Sequence, residues 1–142
     1  MSFDYLKAAT HLIYHEAWNW GNLEVLDKYY APGYVRHKPP FPDIVGLNAA
    51  KQFIADSRRS YPDQNVTIHE VIVDGSRVVS HWTFKGTQVG ESPTTHVAGT
   101  GKQIAFSGCN IAHWEHGQIV EEWEYSDWLI LLNQFGAISS FW

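Results

Sequence analysis

The sequence predicts an α+β domain: three N-terminal helices packed on a curved, mostly antiparallel sheet, with a short helix at the C-terminus. Three observations predict it. Apolar residues recur at helical spacing in three segments before Pro62. Beyond Pro62 the pattern changes to strand-like alternation, punctuated by turn signals at Asp74-Gly75 and His116-Gly117. A final apolar run from Trp128 to Phe135 follows an aspartate and stops at Gly136. Helices followed by a meander of strands place a helical layer on one face of a sheet.

Taken in order, Phe3, Leu6, Ala9 or Thr10, Ile13, Ala17 and Trp20 form one helical stripe, which Gly21 ends. Asn22 caps a shorter helix, Leu23 to Tyr30, with Leu23, Leu26 and Tyr30 on one face, and Ala31-Pro32-Gly33 breaks it. Tyr34 to His37 is a short extended piece, and Pro39-Pro40 keeps the following chain out of helix. The third helix spans Asn48 to Tyr61, with Ala49, Phe53, Ile54 and Tyr61 towards the core. Asn65 to Val73 and Arg77 to Lys85 make a hairpin. Gly86 to Gly101, rich in Gly, Thr and Pro, is a long loop or an irregular edge, and Gln103 to Glu115 is a strand. A second hairpin strand leaves His116-Gly117, with Ile119, Glu121, Trp123, Tyr125 and Asp127 on one side at period 2. Ser126 or Asp127 caps the last helix.

A chain of 142 residues is one domain, 1–142, large enough to bury a core. A net charge of −5 with no basic run argues against nucleic acid or an anionic membrane as partner. The single Cys109 excludes an internal disulfide, and no apolar run approaches membrane-spanning length. With an N-terminus that lacks the order of a signal peptide, this gives a cytoplasmic expectation. Seven each of Trp, Tyr and Phe fill a core or line an apolar pocket, and composition does not separate the two. A sheet curved around helices leaves a conical hole closed at one end by apolar side chains, a natural small-molecule site.

If that hole is lined by Trp123 and Tyr125, Asp127 at the end of the same strand is the acid or base. A carboxylate walled by aromatic rings is poorly hydrated, and that raises its proton affinity. Aspartate before a helix is equally the commonest N-cap. His37, before a proline pair, is a candidate to bind an enolate oxygen or share a proton with Asp127. His81 alternates with Val79 and Thr83 on a strand with two mixed sides, so parity leaves its face open, as it does for His113 and Asn110. Cys109, mid-strand, reads as a buried inert thiol. His11 with His15, and His113 with His116, lack the further ligands of a metal site. Trp128, Phe141 and Trp142 cover the mouth of the hole or sit in a subunit contact.

These residues carry a resemblance. Tyr34-Val35-Arg36-His37, Tyr61-Pro62-Asp63, the run Asp74 to Val79, His81-Trp82-Thr83, Gly86-Thr87 and Thr100 to Ile104 belong to it. So do Gly117 to Trp123 and Asp127 with Leu131, Leu132 and Gln134-Phe135-Gly136. Together they resemble the SnoaL-like polyketide cyclase (ester cyclase) family over nearly the whole chain. The resemblance implies the nuclear-transport-factor-2-like (NTF2-like, cystatin-like) cone, assembled as a homodimer or homotetramer. It also implies ring closure by intramolecular aldol condensation on an apolar polyketide-like substrate, with no metal or nucleotide cofactor. Asp127 would be the general acid/base, His37 its pocket partner and Trp123 a cavity wall. Relatives often read Gly-Thr-His where this chain has Gly86-Thr87-Gln88; Gln88 cannot titrate, so His81 or His96 is the candidate substitute. The expected catalytic set is Asp127, His37 and His81, and the expected substrate wall is Trp123, Tyr125, Thr83, Gln88, His96, Phe53 and Tyr14. The alternatives are a hydrolase, dehydratase or isomerase on the same fold, or a non-enzymatic small-ligand-binding dimer. Epoxide hydrolysis would want carboxylates beside an arginine, and neither Arg36 nor Arg77 is obviously placed for that.

Overall fold

The computed structural model describes residues 1–139; Phe141 and Trp142, expected near the cavity mouth or a subunit contact, lie outside the described residues. Four helices and six strands follow one another as α1 (Phe3–Ile13), α2 (Val25–Tyr29), β1 (Tyr30–Lys38), β2 (Phe41–Val45), α3 (Leu47–Ser60), β3 (Asn65–Asp74), β4 (Arg77–Thr87), β5 (Gln103–Glu115), β6 (Gln118–Ser126) and α4 (Trp128–Gln134). The strands form one sheet in the order β2-β1-β6-β5-β4-β3, antiparallel throughout except for the parallel pair of β1 and β6. The helices cover one face of it. This is the α+β cone that the sequence predicts. Among the described residues no helix is long and apolar enough to cross a membrane.

The first helix departs from a single 3.6-residue stripe. After Ile13 it continues as a π-helical segment, Tyr14–Asn19, in which Trp20 N–H donates to His15 O at 3.1 Å. The wider turn rotates Tyr14, Ala17 and Trp18 inward and leaves Trp20 outside, 70% exposed, although simple periodicity placed it on the core stripe. Phe3 is also exposed: it lies on the solvent side of the first turn, with the Lys7 ammonium 5.1 Å from its ring centroid, while Leu6 takes the buried side. On α3 the core face is Ala50, Ile54, Ser57 and Ser60, one step round from the expected Ala49. Pro39-Pro40, joined by a cis bond, lies in a tight turn that returns the chain as the short edge strand β2, an element not expected from the sequence.

The apex of the cone is closed by a buried cluster in which Trp114 meets Tyr5 and Tyr29 edge-on, each at 6.2 Å. Leu6, Leu26 and Tyr34, almost fully buried, complete the core beneath the helices. Burying these side chains is what holds the helical layer on the sheet, at about 1.5–3 kcal/mol for each large apolar group.

One irregularity decides which residues the cone encloses. Between β5 and β6 the register runs Trp114 to Ile119 and then His113 to Glu121, so Val120 is an extra residue, a β-bulge. Pairing with β1 skips at the same place, from Tyr30–Ile119 to Val35–Glu121. The bulge reverses the parity of everything after it. Ile119 points inward, and so do Glu122 and Glu124, whereas Glu121, Trp123 and Tyr125 turn to the outer face.

Candidate active site

Inside the cone the strand register assembles a polar row on an otherwise aromatic wall. Arg36 of β1 lies beside Glu122 of β6; Ser80 of β4 lies beside Asn110 of β5, and Asn110 beside Glu124. Arg36 donates from Nε and Nη2 to Glu124 Oε1, at 3.0 and 2.7 Å, and from Nη1 to Glu122 Oε1 at 3.3 Å. The Tyr34 hydroxyl donates to the same Glu122 oxygen at 2.6 Å, and Asn110 Nδ2 donates to Glu122 Oε2 at 3.1 Å. Trp82 Nε1 in turn donates to Asn110 Oδ1 at 3.0 Å, and Ser126 Oγ to Glu124 Oε2 at 2.6 Å. All four carboxylate oxygens are therefore engaged, as burial of two carboxylates requires. Gly108, opposite Trp82, makes room for this arrangement: a Cβ there would stand 2.6 Å from Trp82 Cζ2 and 2.7 Å from Tyr125 O.

In front of this row lies a cavity that opens to solvent. Its floor presents Arg36 and Glu124, and its walls are Tyr14, Trp18, Phe53, Tyr61, Trp82, Phe84 and Phe106. Trp128 and Leu131 of α4 and the segment Ser92 to Thr94 of the β4–β5 loop form the rim. Such a space, apolar with a few convergent polar groups, is the usual form of a small-molecule site.

The electrostatics follow from burial. Burial raises the Tyr14 phenol well above its ordinary value, and the negative charge of Glu122 adds to this, so Tyr14 stays protonated and its hydroxyl pairs with Ser80 Oγ at 2.9 Å. For Arg36 burial opposes the charge, but the oxygens of Tyr34, Glu124 and Glu122 outweigh it and the guanidinium is held firmly charged. Lys38, two residues along β1 and also buried, is pushed below the usual lysine value by desolvation; Glu124 pulls it partly back and Arg36 adds to the depression.

Of the residues expected to form the site, Tyr14 and Phe53 line the cavity. The others do not, for identifiable reasons. Asp127 is exposed and caps α4, accepting from Ile130 N–H at 3.1 Å; it does not line the cavity. His37 is on the outer face, its ring clamped between Glu121 Oε2 (2.6 Å from Nε2) and Asp43 Oδ1 (3.0 Å from Nδ1) and stacked near Trp123. These two carboxylates, Glu121 foremost and then Asp43, raise its pKa. His81 is exposed on the outer face with its ring 5.0 Å from His69, because Ser80, Trp82 and Phe84 take the inner side. Thr83 is on that face too, bonded to Ser107 and His69. Trp123 and Tyr125 are turned out by the bulge, and Arg77 stands over the Trp123 ring. Cys109 is half-buried there, not deep in the core as expected. Gln88 is fully buried, but its amide pins the loop by bonds to Val97 O, Thr100 N and Thr100 Oγ1. His96 is exposed, at the loop's positive-φ turn. Among the described residues no three His, Cys, Asp or Glu side chains come together as a metal-binding group.

Arg36, Glu122, Glu124, Asn110 and Lys38 were missed by reading the sequence. The usable signal was the pair of glutamates two apart in one strand, opposite an alternation carrying Asn110, Phe106 and Trp114. It needed the bulge to be read correctly.

The family model for SnoaL-like polyketide cyclases matches residues 8–135. Solved structures with the same fold include TsrD from Streptomyces laurentii, 24% identical over 97% of this chain and 99% of that one, with a TM-score of 0.86. A SnoaL-like protein from Jannaschia sp. CCS1 is 21% identical over 95% and 94%, TM-score 0.84. A protein from Acidithiobacillus ferrooxidans, proposed to be a polyketide cyclase, is 28% identical over 97% and 100%, TM-score 0.80. No curated protein matches the chain. With a family model spanning nearly its full length and a cone that superposes on those structures, the chain belongs to the SnoaL-like polyketide cyclase family.

Proposed function

We propose that the protein is an acid/base catalyst acting on a small apolar carbonyl compound of polyketide type, held in the cone and closed into a ring by an intramolecular aldol step. One observation carries the reading: a carboxylate, Glu124, set with Arg36 in the floor of a cavity otherwise walled by aromatic rings. Aldol chemistry starts by taking a proton from the carbon beside a carbonyl, and it needs donors for the enolate oxygen. Glu124 is the base in this reading. The neutral Tyr14 hydroxyl and the Arg36 guanidinium are the donors, and the aromatic walls hold the substrate folded. Side chains supply every step, so the reading calls for no metal or nucleotide cofactor. Assembly as a homodimer or homotetramer belongs to the same proposal. It is supported by the outer sheet face, where Ile72 of β3 and Tyr125 of β6 stand half exposed.

A second reading, addition or loss of water, has its own support. One guanidinium bridges two buried carboxylates, with Tyr34 and Asn110 adjoining, an arrangement suited to orienting a water for a hydrolase or dehydratase.

The experiment is a thermal-shift screen against aromatic polyketides, small ketones and epoxides, followed by turnover of the stabilising compounds by wild type and Glu124→Gln. Ring closure of a ketone by wild type, lost by about 100-fold or more in Glu124→Gln while ligand stabilisation persists, supports the cyclase. Hydration of an epoxide favours the second reading. A ligand that binds but is never turned over marks a binding module.

A further inference from the structure

The charged groups inside the cone are not all provided for. Arg36, Glu122 and Glu124 satisfy one another. Lys38 does not share in this. It is 5% exposed, makes no salt bridge among the described residues, and uses one of its three N–H donors, to Thr94 Oγ1 at 3.1 Å. Its ammonium otherwise faces two rings, Phe53 at 5.2 Å and Phe41 at 5.3 Å from their centroids. The two carboxylates inside the cone are already occupied, Glu124 by Arg36 and Ser126, and Glu122 by Tyr34, Arg36 and Asn110. A buried cation without a counter-ion is costly to the fold, and the depressed lysine value records that cost.

Thr94 and Phe53 are lining residues of the cavity, so the amine stands one side chain behind its wall. The Thr94 hydroxyl accepts from Lys38, which leaves its own proton free to be donated elsewhere, and Thr94 makes no other side-chain hydrogen bond among the described residues. An oxygen in the cavity is the partner that both groups lack. We propose that Thr94 and Lys38 form a subsite for an anionic oxygen, a carboxylate or ionised enol carried by a planar apolar ligand. Thr94 donates the direct hydrogen bond and Lys38 supplies the charge behind it. The subsite rests on the reading of the cavity as a small-molecule site and names the class of compound it takes. It does not depend on Glu124 being a base.

The test is calorimetric binding of 2-naphthoate and of its neutral counterpart 2-naphthamide to wild type, Lys38→Met, Lys38→Arg and Thr94→Val. A charge-assisted bond sets the expected preference of wild type for the acid at about tenfold. Lys38→Met brings the two probes to within about twofold by weakening naphthoate alone, Lys38→Arg restores a preference, and Thr94→Val reduces it. Thermal melting of each variant confirms that it is folded; methionine replaces a buried, unpaired charge and is expected to melt no lower than wild type. 2-Acetylindane-1,3-dione, a planar triketone ionised at neutral pH, separates the two sources of the anion: tighter binding than naphthoate assigns the subsite to enolates, and weaker binding to carboxylates. Equal affinity for acid and amide in wild type, a preference that survives Lys38→Met, or no naphthoate binding at all overturns the proposal. Glu124→Gln is expected to keep the acid preference. If turnover survives Glu124→Gln while that preference stands, the catalytic reading fails and the subsite does not.

Discussion

Replacing Arg36 with methionine tests whether the buried network is built as described. The guanidinium makes two bonds to Glu124 Oε1 and one each to Glu122 Oε1 and the Tyr34 hydroxyl, and both glutamates are about 5% exposed. Arg36→Met leaves two carboxylates in an aromatic interior with no cation in contact. Removing one partner of a buried ion pair costs about 3–5 kcal/mol. For a domain of this size each kcal/mol lowers Tm by roughly 2–4 °C, so the melting point is expected to fall on the order of 10 °C. Arg36→Lys keeps the charge but not the planar fork and falls in between. Arg77→Met, which removes a guanidinium over Trp123 on the outer face, is the control and is expected to cost about 1 kcal/mol or less. Differential scanning calorimetry of the four proteins at neutral pH reads the result. An Arg36→Met protein that melts within about 2 °C of wild type would mean that the two glutamates have water or other partners, and the site would have to be redrawn.

Three further outcomes follow from the same geometry. Gly108→Ala drives a methyl group against Trp82 and the Tyr125 carbonyl; it is expected to cost about 1–3 kcal/mol in chemical denaturation and to shift Trp82 fluorescence. Asp127→Ala is expected to lose about 1 kcal/mol as a removed N-cap, whereas Asp127→Asn, which can still cap α4, stays within a few tenths by the same assay. His37 has its pKa raised in the fold by Glu121 and Asp43, so its stabilisation is complete below the ordinary histidine value and is lost as pH rises through the folded value. The Tm gap between wild type and His37→Gln is therefore largest near about pH 6 and closes above it, by a small amount because both carboxylates are partly exposed.

The sequence reading succeeded where one period governs a whole element. Helices with unbroken stripes, the Asp74-Gly75 hairpin, the long loop before Gln103 and the cap-to-glycine frame of α4 were all legible, each within a few residues. It failed where a single residue changes the phase. The π-helical segment at Tyr14–Asn19 moved Trp20 outside, and the bulge at Val120 exchanged the two faces of β6. Because a strand has period 2, that one insertion sent Trp123 and Tyr125 out and brought Glu122 and Glu124 in. A bulge has no local composition of its own here; pairing with both neighbouring strands creates it. Arg36 and His37 illustrate the consequence. Adjacent on β1, they face opposite sides, and only the assembled sheet shows that the arginine, not the histidine, belongs to the cavity.

The central claim is that proton transfer belongs to Glu124 inside the cone and not to Asp127 at the helix cap. Single-turnover rates of Glu124→Gln and Asp127→Asn, measured side by side on the best substrate from the panel, test it most directly. The account predicts a loss of about 100-fold or more for Glu124→Gln and a rate within a few-fold of wild type for Asp127→Asn. The opposite order, with Asp127→Asn inactive and Glu124→Gln near wild type, contradicts it.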